Sequence, residues 1–595
     1  MSASWSKLGR RLKRLLAANH LSFLPLRHTL RDYSPGRFRS DLRAGLNVAL
    51  LAFPQGMAYA FIAGFPIQYG IYGSVVAAIL GPLFAGSHYI TLGPTNATSV
   101  MLLSSFAVLG VTGAAKLEML PLLLVMVGAL LLVGAFLRVA NLIQYISRTV
   151  VAGYITAAAL LIIANQVKTI LGFQFSENAT TFIQVCQQTV VQLGDSQWGA
   201  LVMAAMTAGV YLTLNKWFRA LPNVAITLVV MSALGAALQQ WAGLEFASLS
   251  AVSPSNWNLT PPRFSFEAIG QLASPALAIA LLCVLEGTSI GKSIAARAGD
   301  RLDANQEMFS IGVANVGCGL LSGMPASGSL TRSALNWSSG ATSPLASIIN
   351  GVICAVGVLL VGPLIEYIPL PTLAVLVVSI GLSLINRHAI KVVMKATRSD
   401  AVVFLVTFIG GMLLPLDIAI YYGVGTSIVL FLRKAAAPEL VEYTFTDEGE
   451  LAEVDDRRVR VSNEISIVHV EGNLFFGASD LFRDQIRRVF EDPDLKVVIL
   501  KMRNAHLLDA SSVLALEELI RYMRSKSRYL LVSEARKDVI RIFKRSGLLD
   551  VIGRENIFPD IASNHTRSTA NALKRAKAIL SDAEEHPEGS IATKG

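Results

Sequence analysis

Apolar residues occupy the first 435 positions in long blocks, and the charges are confined to the short segments between them. A helix rises about 1.5 Å per residue, so a block of about 20 residues crosses a hydrocarbon layer of about 30 Å. Such blocks fall at about 43–64, 67–86, 93–110, 118–137, 142–164, 197–215 and 223–243, then at about 271–291, 305–322, 327–340, 344–365, 370–386, 399–415 and 417–433. They predict fourteen membrane spans with both termini on one side. Amphipathic stretches at 176–193 and 386–397 follow the fifth and twelfth spans and predict interfacial helices at matching places in two halves. From about 462 the period changes. Glu464–Glu471, Leu495–Lys501 and Arg528–Ser533 have the pattern of short buried strands, with helices predicted at 479–491, 511–525 and 535–546. Alternating strands and helices imply a small α/β domain, and residues after about 565 predict a mostly exposed helix and a frayed end.

Charge gives the spans a sidedness. The first 435 residues hold 27 Lys+Arg and 14 Asp+Glu, the last 160 hold 24 and 27, so the net +10 divides into +13 and −3. The excess sits at the ends of apolar blocks, which points to a membrane and not to nucleic acid. With a cytoplasmic N-terminus, 23 basic residues of the membrane part fall inside and only Lys116, Lys168 and Arg263 outside. Ten of the inside charges lie between Met1 and Arg43, a segment that lacks a cleavable signal pattern and either rests on anionic headgroups or is a plain basic tail. Cys186, Cys283, Cys318 and Cys354 form no paired motif and are expected to be reduced packing residues. His88, His388 and His469 have no metal spacing and are expected on solvated surface. Nothing resembles a catalytic triad, phosphate loop or zinc motif, so an enzyme is not expected and no cofactor is implied.

The two halves also share landmarks. Phe53-Pro54-Gln55-Gly56 and Val284-Leu285-Glu286-Gly287 are offset by 231 residues, as are Gly93-Pro94-Thr95-Asn96 and Met324-Pro325-Ala326-Ser327. Seven is odd, so a duplicated seven-span unit must insert upside down relative to its partner, as in many secondary transporters. The third and tenth spans carry proline and small polar residues where lipid-facing helices carry leucine. Two half-helices meeting there would direct free backbone N–H groups at an anion, with Thr95, Asn96, Ser329 and Thr331 adding side-chain groups. Small residues that merely allow close helix packing are the alternative. Arg332 is the one basic residue that resists the sidedness rule, because it falls within a span. It is either the counter-charge for a bound anion, or it snorkels, or it pairs structurally with Glu286. Glu286 is a carboxylate in low dielectric, suited to carry a proton or to bond a neighbouring helix. Gln55 and Tyr59, one turn apart, either wall the site or pack.

The motifs Phe53-Pro54-Gln55-Gly56-Met57-Ala58-Tyr59-Ala60, Leu285–Ala295, Leu302-Asp303-Ala304-Asn305-Gln306-Glu307 and Gly328–Asn336 resemble the SulP family of anion transporters, which includes bacterial and plant sulfate permeases and the animal relatives prestin and pendrin. The resemblance covers nearly the whole chain. It implies an α-helical polytopic membrane protein of fourteen spans in a 7+7 inverted repeat, with a core of spans 1 to 4 and 8 to 11 and a gate of spans 5 to 7 and 12 to 14. It further implies elevator-like transport, a homodimer and a cytoplasmic STAS domain open to regulators. By motif position, Gln55 and Tyr59 match residues that line the anion site, Thr95 the start of the third helix, and Thr331-Arg332 the Ser-Arg pair of the tenth. Glu286, six residues before Lys292, matches the glutamate of plant-type sulfate transporters, which are proton symporters, whereas sodium-bicarbonate members differ there. Thr95 stands where prestin and its kin carry an aromatic residue, and Ala510 stands where soluble STAS regulators carry a phosphorylated Ser or Thr, leaving Asp509 as a helix N-cap.

The expected organisation is a basic cytoplasmic segment (1–42), a transmembrane transport domain (43–435), a linker (436–461), a STAS domain (462–562) and a C-terminal helix and tail (563–595). The expected activity is proton-coupled sulfate uptake across the inner (plasma) membrane, driven by the proton gradient, with both termini cytoplasmic. Bicarbonate or C4-dicarboxylate symport, sodium coupling, an exchanger or channel, and a regulatory scaffold are the alternatives.

Overall fold

The computed structural model describes residues 21–143, 146–175, 179–218, 222–253, 257–435, 439–445, 451–453, 464–474, 476–489, 492–506, 508–561 and 565–585. The first twenty residues of the basic N-terminal segment, part of the expected linker and the last ten residues lie outside these. The chain forms two compact units, Met1–Ile428 and Val429–Gly595.

Each of the fourteen apolar blocks coincides with a helix. Among the described residues, ten helices are long and apolar enough to cross a membrane. The other four are Asn96–Val108, Ala304–Leu320, Leu330–Ser338 and Arg398–Leu413, with 13, 17, 9 and 16 residues. The two amphipathic stretches are the helices Phe182–Val191 and Arg387–Ala396.

Within the first unit the helices pack as two groups. Pro35–Ala63, Ile67–Phe84, Asn96–Val108, Gly113–Phe136, Phe266–Ala298, Ala304–Leu320, Leu330–Ser338 and Leu345–Val361 form one, while Arg148–Leu171, Trp198–Trp217, Asn223–Ala242, Leu370–Leu384 and Arg398–Leu413 form the other. Close approach within the first group depends on missing side chains: a Cβ on Gly56 would lie 2.9 Å from the carbonyl oxygen of Gly70.

The expected 1–42 segment is corrected at its end. Ser34 caps a helix that begins at Pro35, so Arg37, Arg39, Asp41 and Arg43 ride on a continuation of the first apolar helix. Proline suits a first helical position, where its missing N–H would be unbonded anyway. Asp41 is fully buried and accepts hydrogen bonds from the backbone N–H groups of Thr342 (2.6 Å) and Ser343 (3.2 Å) and from the Tyr33 hydroxyl (2.9 Å). Burial and this carboxylate push the Tyr33 phenol up to about 12.

The second unit is built on one sheet. β3 (Glu439–Phe445), β4 (Leu451–Glu453), β5 (Ile465–Asn473), β6 (Val497–Lys501), β8 (Tyr529–Ala535) and β9 (Ile557–Pro559) run in the order β4-β3-β5-β6-β8-β9, with β7 (Ala505–His506) pairing β5. β5, β6, β8 and β9 are parallel, and β3 joins β5 antiparallel. The expected linker therefore contributes two strands, which short mixed segments reveal only once the β5 edge is there to pair them. Val468, Val498 and Val532 face the helices Phe476–Val489, Ala510–Ser525 and Lys537–Ser546 on one side. Ile467, Ile499 and Leu531 face Ala572 and Ala576 of the helix His565–Glu585 on the other. That last helix is thus seated on the sheet along one stripe, which its charged composition conceals. Its Thr569 hydroxyl donates to fully buried Glu534 at 2.8 Å, and Lys501 Nζ lies 3.3 Å from the same carboxylate.

His469 corrects the expectation of solvated histidines. It lies in β5, is buried, and its burial pulls the imidazole below the usual range toward the neutral form. Asp509 does cap its helix, accepting from the Ser512 backbone N–H at 3.0 Å.

Candidate functional site

The site starts from two short strands, here β1 (Leu92–Gly93) and β2 (Ser327–Gly328). They pair antiparallel, Leu92 opposite Gly328 and Gly93 opposite Ser327. Each then turns into a helix. Thr95 caps Asn96–Val108 through a reciprocal box with Thr98, and Ser329 caps Leu330–Ser338. Antiparallel strands deliver the chain from opposite directions, so the two helix N-termini end up side by side. Unbonded N–H groups and the helix dipoles make that junction positive.

The half-helix geometry changes the expected pairing of the two landmarks. The first helices of the two halves begin at Pro35 and Phe266, 231 residues apart, but the caps Thr95 and Ser329 are 234 apart. The match at 231 between Thr95 and Ala326 was one of composition only; Ser329 does the same job as Thr95 because a cap needs a side-chain oxygen.

Arg332 ties the junction together. Its side chain is 1% exposed, and one terminal nitrogen donates to the Pro94 carbonyl at 2.8 Å, immediately before the other half-helix. Its Nε and remaining terminal nitrogen are buried and have no hydrogen-bond partner among the described residues. Such donors cost about 1–3 kcal/mol each, more when charged. The guanidinium carbon lies 5.9 Å from the centre of the Tyr59 ring. Gly93 makes room for it, since a Cβ there would sit 3.1 Å from the guanidinium.

Glu286 approaches from the Phe266–Ala298 helix. It is 9% exposed, and its Oε2 accepts from the Thr95 hydroxyl at 3.1 Å. No direct ion pair between Glu286 and Arg332 occurs among the described residues, which removes the structural pairing weighed from the sequence. Gly287 lets the helix come close: a Cβ on Gly328 would already lie 3.4 Å from the Gly287 Cα.

The sequence-derived set is brought together only in part. Tyr59, Thr95, Glu286, Ser329 and Arg332 are buried around the junction. Gln55 is one turn from Tyr59 on the same helix face, and its Oε1 is buried without a partner among the described residues, as is Oδ1 of Asn96. Thr331 is different: its side chain is exposed and, among the described residues, its hydroxyl reaches the Ser329 hydroxyl at 3.3 Å.

Three contributors escaped the sequence reading. Asn315 clamps β2's approach, donating to the Ala326 carbonyl (2.8 Å) and accepting from the Ala326 N–H (3.0 Å). The buried Tyr154 hydroxyl donates to the Ala97 carbonyl at 2.9 Å, joining the second helix group to the first. The Ser333 hydroxyl accepts from the Thr91 N–H at 2.9 Å. An asparagine within the apolar 305–322 block was the one available signal.

Fold and site together define a polytopic helical membrane protein of transporter class, with a buried cationic junction where two helix N-termini meet. A match to the sulfate permease family covers residues 38–407, and one to the STAS domain covers residues 456–564. The chain belongs to the sulfate permease family, whose members are anion transporters and not enzymes. Among its relatives, sulfate transporter 4.1, chloroplastic, of Arabidopsis thaliana is 27% identical over 88% of this chain and 78% of its own length. The putative sulfate transporter YvdB of Bacillus subtilis is 26% identical over 89% and 97%. Of solved structures, the murine Slc26a9 anion transporter in the inward-facing state superposes with a TM-score of 0.82 at 19% identity, covering 93% of this chain and 94% of that one. The transmembrane domain of the cyanobacterial bicarbonate transporter BicA gives 0.58 at 19% identity over 66% and 99%. At these identities the superpositions establish the fold alone.

Proposed function

We propose that this chain takes up sulfate together with protons, by elevator-type movement of the first helix group against the second. The observation that carries the reading is the junction: a buried guanidinium with two unpartnered nitrogens beside two helix N-termini, and a buried carboxylate held on the cap of one of them. Arg332, the backbone N–H groups after Thr95 and Ser329, and the polar groups of Gln55, Tyr59 and Asn96 bind the anion. Thr331, being exposed, assists only through Ser329. Glu286 carries the proton.

Charge arithmetic links the two. A dianion about 5 Å from an ionised carboxylate meets repulsion of about 3 kcal/mol per unit charge at an effective dielectric of about 20. Protonation of Glu286 removes it, so sulfate and proton load together. Relatives named as sulfate transporters support the choice of anion. In this reading the fourteen helices cross the membrane as a 7+7 inverted repeat, the 23-to-3 distribution of basic residues puts both termini in the cytoplasm, and the protein sits in the plasma membrane as a homodimer.

Purified protein in proteoliposomes provides the test. Labelled sulfate is expected to accumulate when the outside is acidified, with sodium gradients ineffective and bicarbonate or succinate poorer substrates. Uptake indifferent to the pH gradient for every anion would refute proton coupling. Gly93→Ala should displace the guanidinium and weaken sulfate binding about tenfold or more, in line with loss of one charge-assisted contact. Unchanged affinity in equilibrium binding would show that Gly93 is not needed to seat Arg332.

A further inference from the structure

A second cationic feature lies at the far ends of the same helices. A cavity of about 580 Å³ is lined by Gly64 at the end of Pro35–Ala63, Phe106 near the end of Asn96–Val108, Lys116, Asn165, Lys168 and Phe175. Phe106 is eleven residues beyond Thr95, or about 16 Å along the helix, so the cavity is separate from the Arg332 junction.

Lys116 and Lys168 are two of only three basic residues that the sidedness rule leaves on the outer face. The third, Arg263, is paired with Glu118 at 2.8 Å. The two lysines have no carboxylate partner, and no lining side chain is acidic, among the described residues. Lys116 spends two donors on the carbonyls of Ala63 (3.0 Å) and Gly64 (3.1 Å) and stacks over Phe65 at 4.3 Å. An ammonium has three donors, so one remains. Lys168 lies over the Phe175 ring at 4.3 Å and, within the described residues, has no oxygen partner. Ring faces stabilise an ammonium without neutralising it, so both charges stay available to a ligand. Asn165 and Thr169 add polar groups to the wall.

We propose that this cavity is a second anion site, which holds a tetrahedral oxyanion between Lys116 and Lys168 before it reaches the junction. The inference deepens the transport reading and rests on it for the direction of travel only. A free sulfate or phosphate and the phosphate of a lipid headgroup share the required chemistry.

The test reads lysine acetylation by mass spectrometry on the full chain in neutral detergent, using N-hydroxysuccinimidyl acetate at constant ionic strength. Sulfate is expected to slow acetylation of Lys168 and Lys116 several-fold and to leave Lys216 and Lys391 unaffected. Lys168→Gln should remove the protection of Lys116, and Lys168→Arg should retain it. Protection that persists in Arg332→Ala marks an independent site even if the junction reading fails; protection lost in Arg332→Ala overturns the inference. In vesicles without sulfate, protection by phosphatidylglycerol but not phosphatidylcholine assigns the oxyanion to lipid and overturns its passage to the junction. Absence of protection by both sulfate and phosphatidylglycerol overturns the proposal.

Discussion

Replacing Arg332 by alanine is expected to lower sulfate affinity at least about a hundredfold, which in practice abolishes uptake. Removing one partner of a buried, hydrogen-bonded charge pair costs about 3–5 kcal/mol, and about 1.4 kcal/mol is tenfold in affinity. The free protein also loses the donor to the Pro94 carbonyl, at about 1–3 kcal/mol. Equilibrium binding of labelled sulfate therefore has to be read beside thermal unfolding. Arg332→Lys separates the effects, because an ammonium keeps the charge but cannot hold Pro94 and present a planar fork to the anion at once. Affinity that survives Arg332→Ala would remove the counter-charge role.

Glu286→Gln is expected to separate coupling from translocation. The amide oxygen still accepts from the Thr95 hydroxyl, so the junction keeps its shape, but the side chain no longer takes up or releases a proton. Concentrative uptake driven by a pH gradient should disappear, while sulfate exchange between the two sides continues. Wild-type uptake should rise as the outside is acidified, because sulfate binds with the protonated carboxyl; in the variant that dependence should flatten. Counterflow and gradient-driven uptake on the same liposomes give both readings. Accumulation equal to wild type would return Glu286 to a structural role.

Much of this was legible along the chain because the bilayer imposes a local rule. Every residue of a span must be tolerated by lipid or by a neighbouring helix, so apolar block length disclosed the fourteen helices, and flanking charge gave them an expected sidedness. Arg332 and Glu286 stood out for the same reason, as charges where the rule forbids them. The four motifs carried the family. What stays hidden along the chain is what depends on a partner far away. The Pro94 carbonyl that receives Arg332 is 238 positions distant, and a backbone oxygen has no signature in composition. The 234-residue spacing of the caps Thr95 and Ser329, three more than the landmark offset, shows only once the helix starts are known. The strands at 439–445 and 451–453 acquire their structure from the β5 edge, and the stripe that buries Ala572 and Ala576 needs the sheet opposite.

The sequence by itself therefore determined the class of protein, the helices, and Arg332 and Glu286 as charges within apolar blocks. Only the tertiary structure decided that those residues meet the half-helix caps without pairing with each other, that Thr331 is exposed, and that Lys116 and Lys168 share one cavity. The physical reason is that burial within a span is a property of each position, whereas a binding site is a set of distances between positions that the chain brings together only when it folds.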